Sequence, residues 1–243
     1  MDLGDAPDLS GQHELGEATV PQIVVDLAGQ LEPELVWHNE LGGLTFRLHG
    51  LYVKWNPNGN GIDLSLEHKR LEWISARHPA PAVVSAGADD HGSWLVTEAL
   101  PGEHAVGDTW RARRSEAIQV IAAGLRAIHA VPIHDFPAEW SDEVWVGRSP
   151  ESLEPRPPID TPVLVHGDAC APNTLIDRAG TWVGHVDFGD LAVGDRWADL
   201  AIASLSLDWN FGEGNQDEFF DAYGIEPDPQ RIDYYRALWH LES

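Results

Sequence analysis

Two alternating apolar runs, Thr174-Leu175-Ile176 and Trp182-Val183-Gly184-His185-Val186, flank the polar stretch Asp177-Arg178-Ala179-Gly180-Thr181. Alternation interrupted by a glycine-bearing break is the pattern of a β-hairpin. Its turn falls near Gly180, midway between Asn173 and Asp187. Folding there returns Asp187 to the side of Asn173. Two oxygen-bearing side chains then leave the same end of one hairpin, where they can share hard cations, which prefer oxygen ligands.

The surrounding residues give that end a chemistry. Upstream stands His166-Gly167-Asp168-Ala169-Cys170-Ala171-Pro172-Asn173, and Asp187 opens Asp187-Phe188-Gly189. An Asp, an Asn five residues on and then Asp-Phe-Gly is the layout of a phosphoryl-transfer site. The first Asp orients the attacking hydroxyl and accepts its proton. The Asn and the second Asp hold magnesium against nucleotide phosphates. Cys170 lies between these residues, but the Asp/Asn pattern already has a task there, so it reads as a small half-buried hydrophobe rather than a nucleophile.

At 243 residues the chain can bury a large core as one domain or two lobes. A hydrophobic content of 43% with eleven Trp indicates a folded globular protein. No apolar run approaches the ~20 residues of a membrane helix. Asp2, Asp5 and Asp8 interrupt the start, and no Lys or Arg precedes Arg47, which is unlike a secretory leader. The single cysteine excludes an internal disulfide, and a cytoplasmic setting follows. A formal charge of −25 speaks against nucleic acid as a partner and is compatible with a polycationic substrate steered into an acidic cleft. Solubility in an acid-rich proteome explains the same number.

Along the chain, residues 1–20 read as a loosely ordered, acidic lead-in. Residues 21–31 suit a short helix with Ile23, Val24, Leu27 and Leu31 on one side. Strand-like runs follow at 35–37, 44–48 and 51–55, a helix at 62–77, and strands at 83–84 and 94–97. Leu100-Pro101-Gly102 breaks the pattern like a hinge. Ser115 to Val131 is a helix with Ile118, Ile121, Leu125 and Ile128 at helical spacing and Pro132 just beyond. Residues 132–162 are Pro-rich and take no clear assignment. Helical segments come near 198–207, 216–223 and 229–241. The fold class is therefore α+β: an N-terminal lobe of antiparallel sheet plus helix (residues 1–98) and a mostly helical lobe (residues 99–243). A nucleotide between them needs a cation for its phosphates. Lys54 is the natural choice, paired with an acid of the following helix, which carries Glu67, His68 and Glu72.

As a set, these motifs resemble the aminoglycoside phosphotransferase family on the protein-kinase-like fold, its 3′-type enzymes in particular. The resemblance runs from about Val36 onward. It includes the His166–Asn173 motif, Asp187-Phe188-Gly189, Gly194-Asp195-Arg196-Trp197-Ala198-Asp199-Leu200-Ala201, Tyr52-Val53-Lys54 and Leu100-Pro101-Gly102. It implies ATP and two Mg2+ ions as cofactors, Asp168 as catalytic base, and Asn173 and Asp187 as metal ligands. Lys54, paired with Glu67, would contact the α- and β-phosphates. Tyr52 would stack on adenine, the backbone of Glu98 and Ala99 would read its edge, and the turn at Gly42 and Gly43 would cover the phosphates. His166 and Asp199 would be structural supports.

The acceptor end departs from the family. The closing Trp239-His240-Leu241-Glu242-Ser243 leaves Glu242 and the carboxylate of Ser243 as its only anions. The 132–162 insert, shorter than usual, carries Asp135, Glu139, Asp142, Glu143, Glu151 and Glu154, enough for an acidic lid. Asp190 stands where a base often follows the magnesium Asp, as a candidate amine contact or a solvated loop acid. The implied partner is a cationic small molecule, with no nucleic acid or membrane involved, and the protein a monomer or dimer. Alternatives are a kinase of the same fold acting on a macrolide or metabolite, a non-catalytic nucleotide-binding module, and a metal-dependent hydrolase built on His166-x-Asp168 and His185-x-Asp187. A protein kinase is disfavoured, because eleven residues between Asp187 and Asp199 cannot hold an activation segment.

Overall fold

The computed structural model describes residues 19–153 and 155–242, with the backbone alone at Glu242. The acidic lead-in, apart from residues 19 and 20, and Glu154 and Ser243 lie outside the described residues. The chain divides into two compact units: residues 19–76 with 81–100, and residues 77–80 with 101–242.

The first unit opens with α1 (Gln22–Ala28), which follows Pro21 and stops at Gly29, whose φ of 58° is left-handed. The strands are β1 (Glu34–His38), β2 (Leu44–Leu48), β3 (Leu51–Pro57), β4 (Val83–Ala88) and β5 (Gly92–Glu98). They form an antiparallel sheet in the order β1-β2-β3-β5-β4. Between β3 and β4 runs α2 (Leu64–Ser75), whose first turn is capped by the Asp63 side chain accepting from the Ser65 N–H at 2.8 Å.

Strand alternation gives the sheet two different faces. Phe46, Val53 and Val96 are cross-strand partners and pack with Val24, Ala28, Leu35, Leu44 and Leu48 in one buried cluster. The next register positions, Lys54 and Leu95, therefore point to the opposite face, and Lys54 meets Glu67 of α2 there. The expected apolar side of the first helix needs correction. Val24 and Ala28, one turn apart, are buried, whereas Leu27 and Leu31 are 39% and 54% exposed. Gly29 ends the helix early, so Leu31 never joins that face.

The second unit holds β6 (Glu103–His104), α3 (Asp108–Ala112), α4 (Arg114–His129), α5 (Glu139–Asp142), β7 (Pro162–Val165), β8 (Thr174–Ile176), β9 (Trp182–His185), β10 (Ala192–Asp195), α6 (Trp197–Phe211), α7 (Gln216–Tyr223) and α8 (Pro229–Glu242). Ile118, Ile121, Leu125 and Ile128 of α4 are all buried, as their spacing requires. Residues 197–207 of α6 are buried on every side, which makes that helix the spine of the unit. α6 packs along α8, and α4 along α7. Two small antiparallel sheets, β6-β8-β9 and β10-β7, sit against this bundle. The hairpin forms as its sequence implies, Thr174 opposite His185 and Leu175 opposite Gly184. The strands β7 and β10 and the short helices α3 and α5 had no legible pattern. Among the described residues no helix is long and apolar enough to cross a membrane.

Candidate active site

The loop after β7 carries His166, Gly167 and Asp168. A carboxylate from the first turn of α6 holds it from beneath. Asp199, fully buried, accepts from the His166 N–H at 2.7 Å through Oδ2 and from the Gly167 N–H at 3.0 Å through Oδ1. His129, ending α4, donates Nε2–H to the same Oδ2 at 3.0 Å and accepts at Nδ1 from the Tyr223 hydroxyl at 2.8 Å. Three donors satisfy a charge that burial would otherwise make costly. The loop is tied from above as well. Trp145 Nε1 donates to the Gly167 carbonyl at 2.7 Å, and His166 Nε2 donates to the Val186 carbonyl at 2.9 Å. Gly167 has φ 84°, and a Cβ there would lie 2.0 Å from the Asp190 carbonyl oxygen, so the two loops touch where only glycine fits.

The hairpin brings its two ends together. Val186 donates its N–H to the Asn173 carbonyl at 3.0 Å, which sets Asp187 next to Asn173. The Asn173 amide nitrogen donates to the Asp168 carbonyl at 3.0 Å and to Asp168 Oδ2 at 2.9 Å. That orientation turns the amide oxygen the other way. Asp187 has φ 65°, the left-handed region that a non-glycine residue enters at a cost of order 1 kcal/mol. Asp168 Oδ1 is buried and accepts no hydrogen bond from the described residues. A carboxylate oxygen held dry and unpartnered is suited to take a donor brought by a ligand. The pair Asn173 and Asp187 fits a hard cation by chemistry, since both offer oxygen. Among the described residues no three His, Cys, Asp or Glu gather as a metal site, so the remaining ligands would be phosphate and water oxygens, as magnesium favours.

The nearby histidines and the cysteine are otherwise engaged. His78 Nε2 and His185 Nδ1 are 2.9 Å apart, and the two rings lie edge to edge with their planes 4° apart and their centroids separated by 5.2 Å. Burial lowers the pKa of both, that of His78 to about 4, with the neighbouring His166 acting in the same direction. His166 uses both ring nitrogens, Nδ1 accepting from the Asp168 N–H at 3.3 Å. His185 is tied through Nδ1 alone, and its buried Nε2, which has no hydrogen-bond partner among the described residues, lies against Gly124 of α4. Cys170 is half-buried as a residue but its thiol is enclosed, and that burial, with Asp168 beside it, pushes the thiol well above its usual pKa. It is no thiolate nucleophile.

The Phosphotransferase enzyme family profile matches residues 44–154 and 147–237. An aminoglycoside 3′-phosphotransferase of Streptomyces fradiae is 30% identical over 256 residues, covering 85% of this chain and 95% of its own length. The chain belongs to the aminoglycoside phosphotransferase family. A streptomycin 3″-kinase of Streptomyces griseus is also 30% identical, over 86% of this chain and 95% of its own. The crystal structure of an aminoglycoside-3′-phosphotransferase of type VIII superimposes with a TM-score of 0.70 at 27% identity, covering 89% of this chain and 97% of that one. As a member of the family the chain is a phosphotransferase with a kinase-like fold.

The other positions that family resemblance singled out lie as follows. Lys54 Nζ donates to Glu67 Oε1 at 2.7 Å, both side chains largely buried. Tyr52, two residues before Lys54, shares its side of β3. In the β1–β2 turn the Gly42 N–H donates to the Asn39 carbonyl and the Gly43 N–H to Asn39 Oδ1 at 2.7 Å. Phosphates would have to draw these amides from Asn39. A Cβ on Gly43 would lie 2.1 Å from Asn56 Oδ1, so the glycine serves packing in the turn. The Glu98 and Ala99 N–H groups donate to the Ala82 and Gly50 carbonyls, both at 2.9 Å. An adenine edge read at these two residues is left their carbonyls only. Asp190 lies half-buried where its backbone meets Gly167. The side chains of Glu242 and Ser243, and Glu154 of the acidic insert, fall outside the described residues. His129, Trp145 and Ser206, whose Oγ accepts from the Ala171 N–H at 3.0 Å, support the loop unannounced by any local sequence pattern.

Proposed function

We propose that this chain transfers the γ-phosphoryl group of Mg-ATP to a hydroxyl of an aminoglycoside, the 3′-hydroxyl foremost, and so confers resistance. The observation that supports this most is the Asp168–Asn173–Asp187 grouping, with one Asp168 oxygen clamped by Asn173 and the other buried and unpartnered among the described residues. Asp168 is the base that orients the acceptor hydroxyl and takes its proton. Asn173 and Asp187 would hold two magnesium ions, whose charge would offset that of the phosphates. The first unit supplies the nucleotide contacts: Lys54, steadied by Glu67, meets the α- and β-phosphates, and Tyr52 stacks on adenine. Asp199 and His166 keep the loop in place, and Asp190 contacts an acceptor amine. Positioning and electrostatics supply most of the rate in such a transfer. The curated relatives named as 3′-phosphotransferases support the 3′-hydroxyl. Transfer to a 3″-hydroxyl is a second reading, supported by the equally similar streptomycin 3″-kinase.

The test is ADP release from Mg-ATP across an aminoglycoside panel, with macrolides and simple amino alcohols beside it. Turnover with 3′-hydroxyl compounds and none with their 3′-deoxy analogues is expected. Asp168→Asn should cut kcat by roughly 10²- to 10⁴-fold with ATP binding retained. Wild-type turnover by that variant would remove Asp168 from the base role.

A further inference from the structure

We infer that the indoles of Trp209 and Trp239 form the acceptor-facing wall of this site, taking an aminated sugar ring against their π faces. The inference rests on the acceptor class proposed above and names what holds it.

Placement is the first support. α6 begins under the catalytic loop with Asp199, and two turns later Ser206 Oγ accepts from the N–H of Ala171, three residues past Asp168. Trp209 follows Ser206 by three residues, on the same side of the helix and about 4.5 Å along its axis. Asn210 secures that turn through Nδ2 to the Ser206 carbonyl at 2.8 Å and to Ser206 Oγ at 3.2 Å.

Exposure is the second. The two indoles, one from α6 and one from α8, lie 5.9 Å apart with their planes at 44°, and both residues are half-buried. The ring pairs Trp197–Phe220 and Tyr234–Tyr235 of the same unit are buried. A large aromatic pair left partly open, one turn beyond the serine that ties α6 to the catalytic loop, offers stacking area with little conformational freedom to lose.

Chemistry is the third. The carboxylate nearest in sequence, Asp208, accepts from Gln216 Nε2 at 2.5 Å and so faces α7. Arg111 donates Nη1–H to the Asn210 carbonyl, which puts a guanidinium at the same end of α6. Dense ammonium charge is disfavoured beside it. A sugar ring meets the wall through its C–H face and a single ammonium group, the latter by cation–π attraction.

The test uses the full chain with kanamycin and streptomycin as acceptors. Trp209→Ala and Trp239→Ala should each raise the KM of the better acceptor roughly tenfold, with the KM for ATP held within about twofold. Trp209→Phe and Trp239→Phe, which keep a ring, should stay within about threefold of wild type. Unchanged acceptor KM in both alanine variants, or acceptor and ATP KM rising together in alanine and phenylalanine variants alike, would overturn the wall while leaving the proposed function standing. A wild-type chain that binds Mg-ATP yet phosphorylates neither compound would instead overturn the acceptor class, and the wall's occupant with it.

Discussion

Asp168 shows how one residue is prepared by its neighbours. Its Oδ2 accepts from Asn173 while Oδ1 stays buried without a hydrogen-bond partner among the described residues, so the carboxylate is fixed in direction and still has capacity to accept. Cys170, two residues on, illustrates the opposite case. Burial of the thiol and the adjacent Asp168 charge keep it protonated through neutral and mildly alkaline pH. Iodoacetamide at pH 8 should therefore leave native Cys170 unmodified and alkylate it only after denaturation, as read by intact mass. Rapid labelling of the native chain would contradict the enclosed-thiol geometry.

At the scale of elements, the site is a matter of loops pressed together by strands and helices. Gly167 and Asp190 meet so closely that Gly167→Ala combines a left-handed backbone with a steric clash. It should cost at least about 2 kcal/mol of stability and lower kcat, checked by denaturant titration and turnover. The His78–His185 hydrogen bond joins the segment at 77–80 to β9 of the same unit. His78 has its folded-state pKa lowered to about 4, below the ordinary 6.5. Between those values the unfolded chain binds the extra proton, so stability is full above pH 6.5 and falls as pH drops toward 4. The loss amounts to about 3 kcal/mol for this group. His78→Gln should flatten that part of the pH–melting profile. An unchanged profile would show that His78 titrates normally.

The whole molecule adds charge. With 40 acidic against 15 basic side chains, the net charge of −25 creates a field that attracts a polycation from a distance. For an aminoglycoside acceptor, kcat/KM should fall on the order of tenfold between 0.05 and 0.5 M salt while kcat changes little. A salt-independent kcat/KM would mean that the bulk charge serves solubility alone. The division into two units also matters at this scale, because residues 77–80 leave the sheet-bearing stretch that flanks them and fold with the helical unit.

Local patterns sufficed for much of this protein. Alternation marked the strands β2, β3, β8 and β9, helical spacing marked α4, and the distance from Asn173 to Gly180 to Asp187 marked the hairpin, because each depends on neighbours within a few residues. Lys54 was legible as a strand cation in need of an acid from the following helix, and the family resemblance narrowed that acid to Glu67, the partner it has. What tertiary structure alone decided are contacts between residues far apart in sequence. No local pattern joins His129 to Asp199, Trp145 to Gly167, Ser206 to Ala171 or Trp209 to Trp239. It also decided that the Gly43, Glu98 and Ala99 amides are spent on their own unit, since a backbone group in a folded interior takes the partner that packing brings nearest.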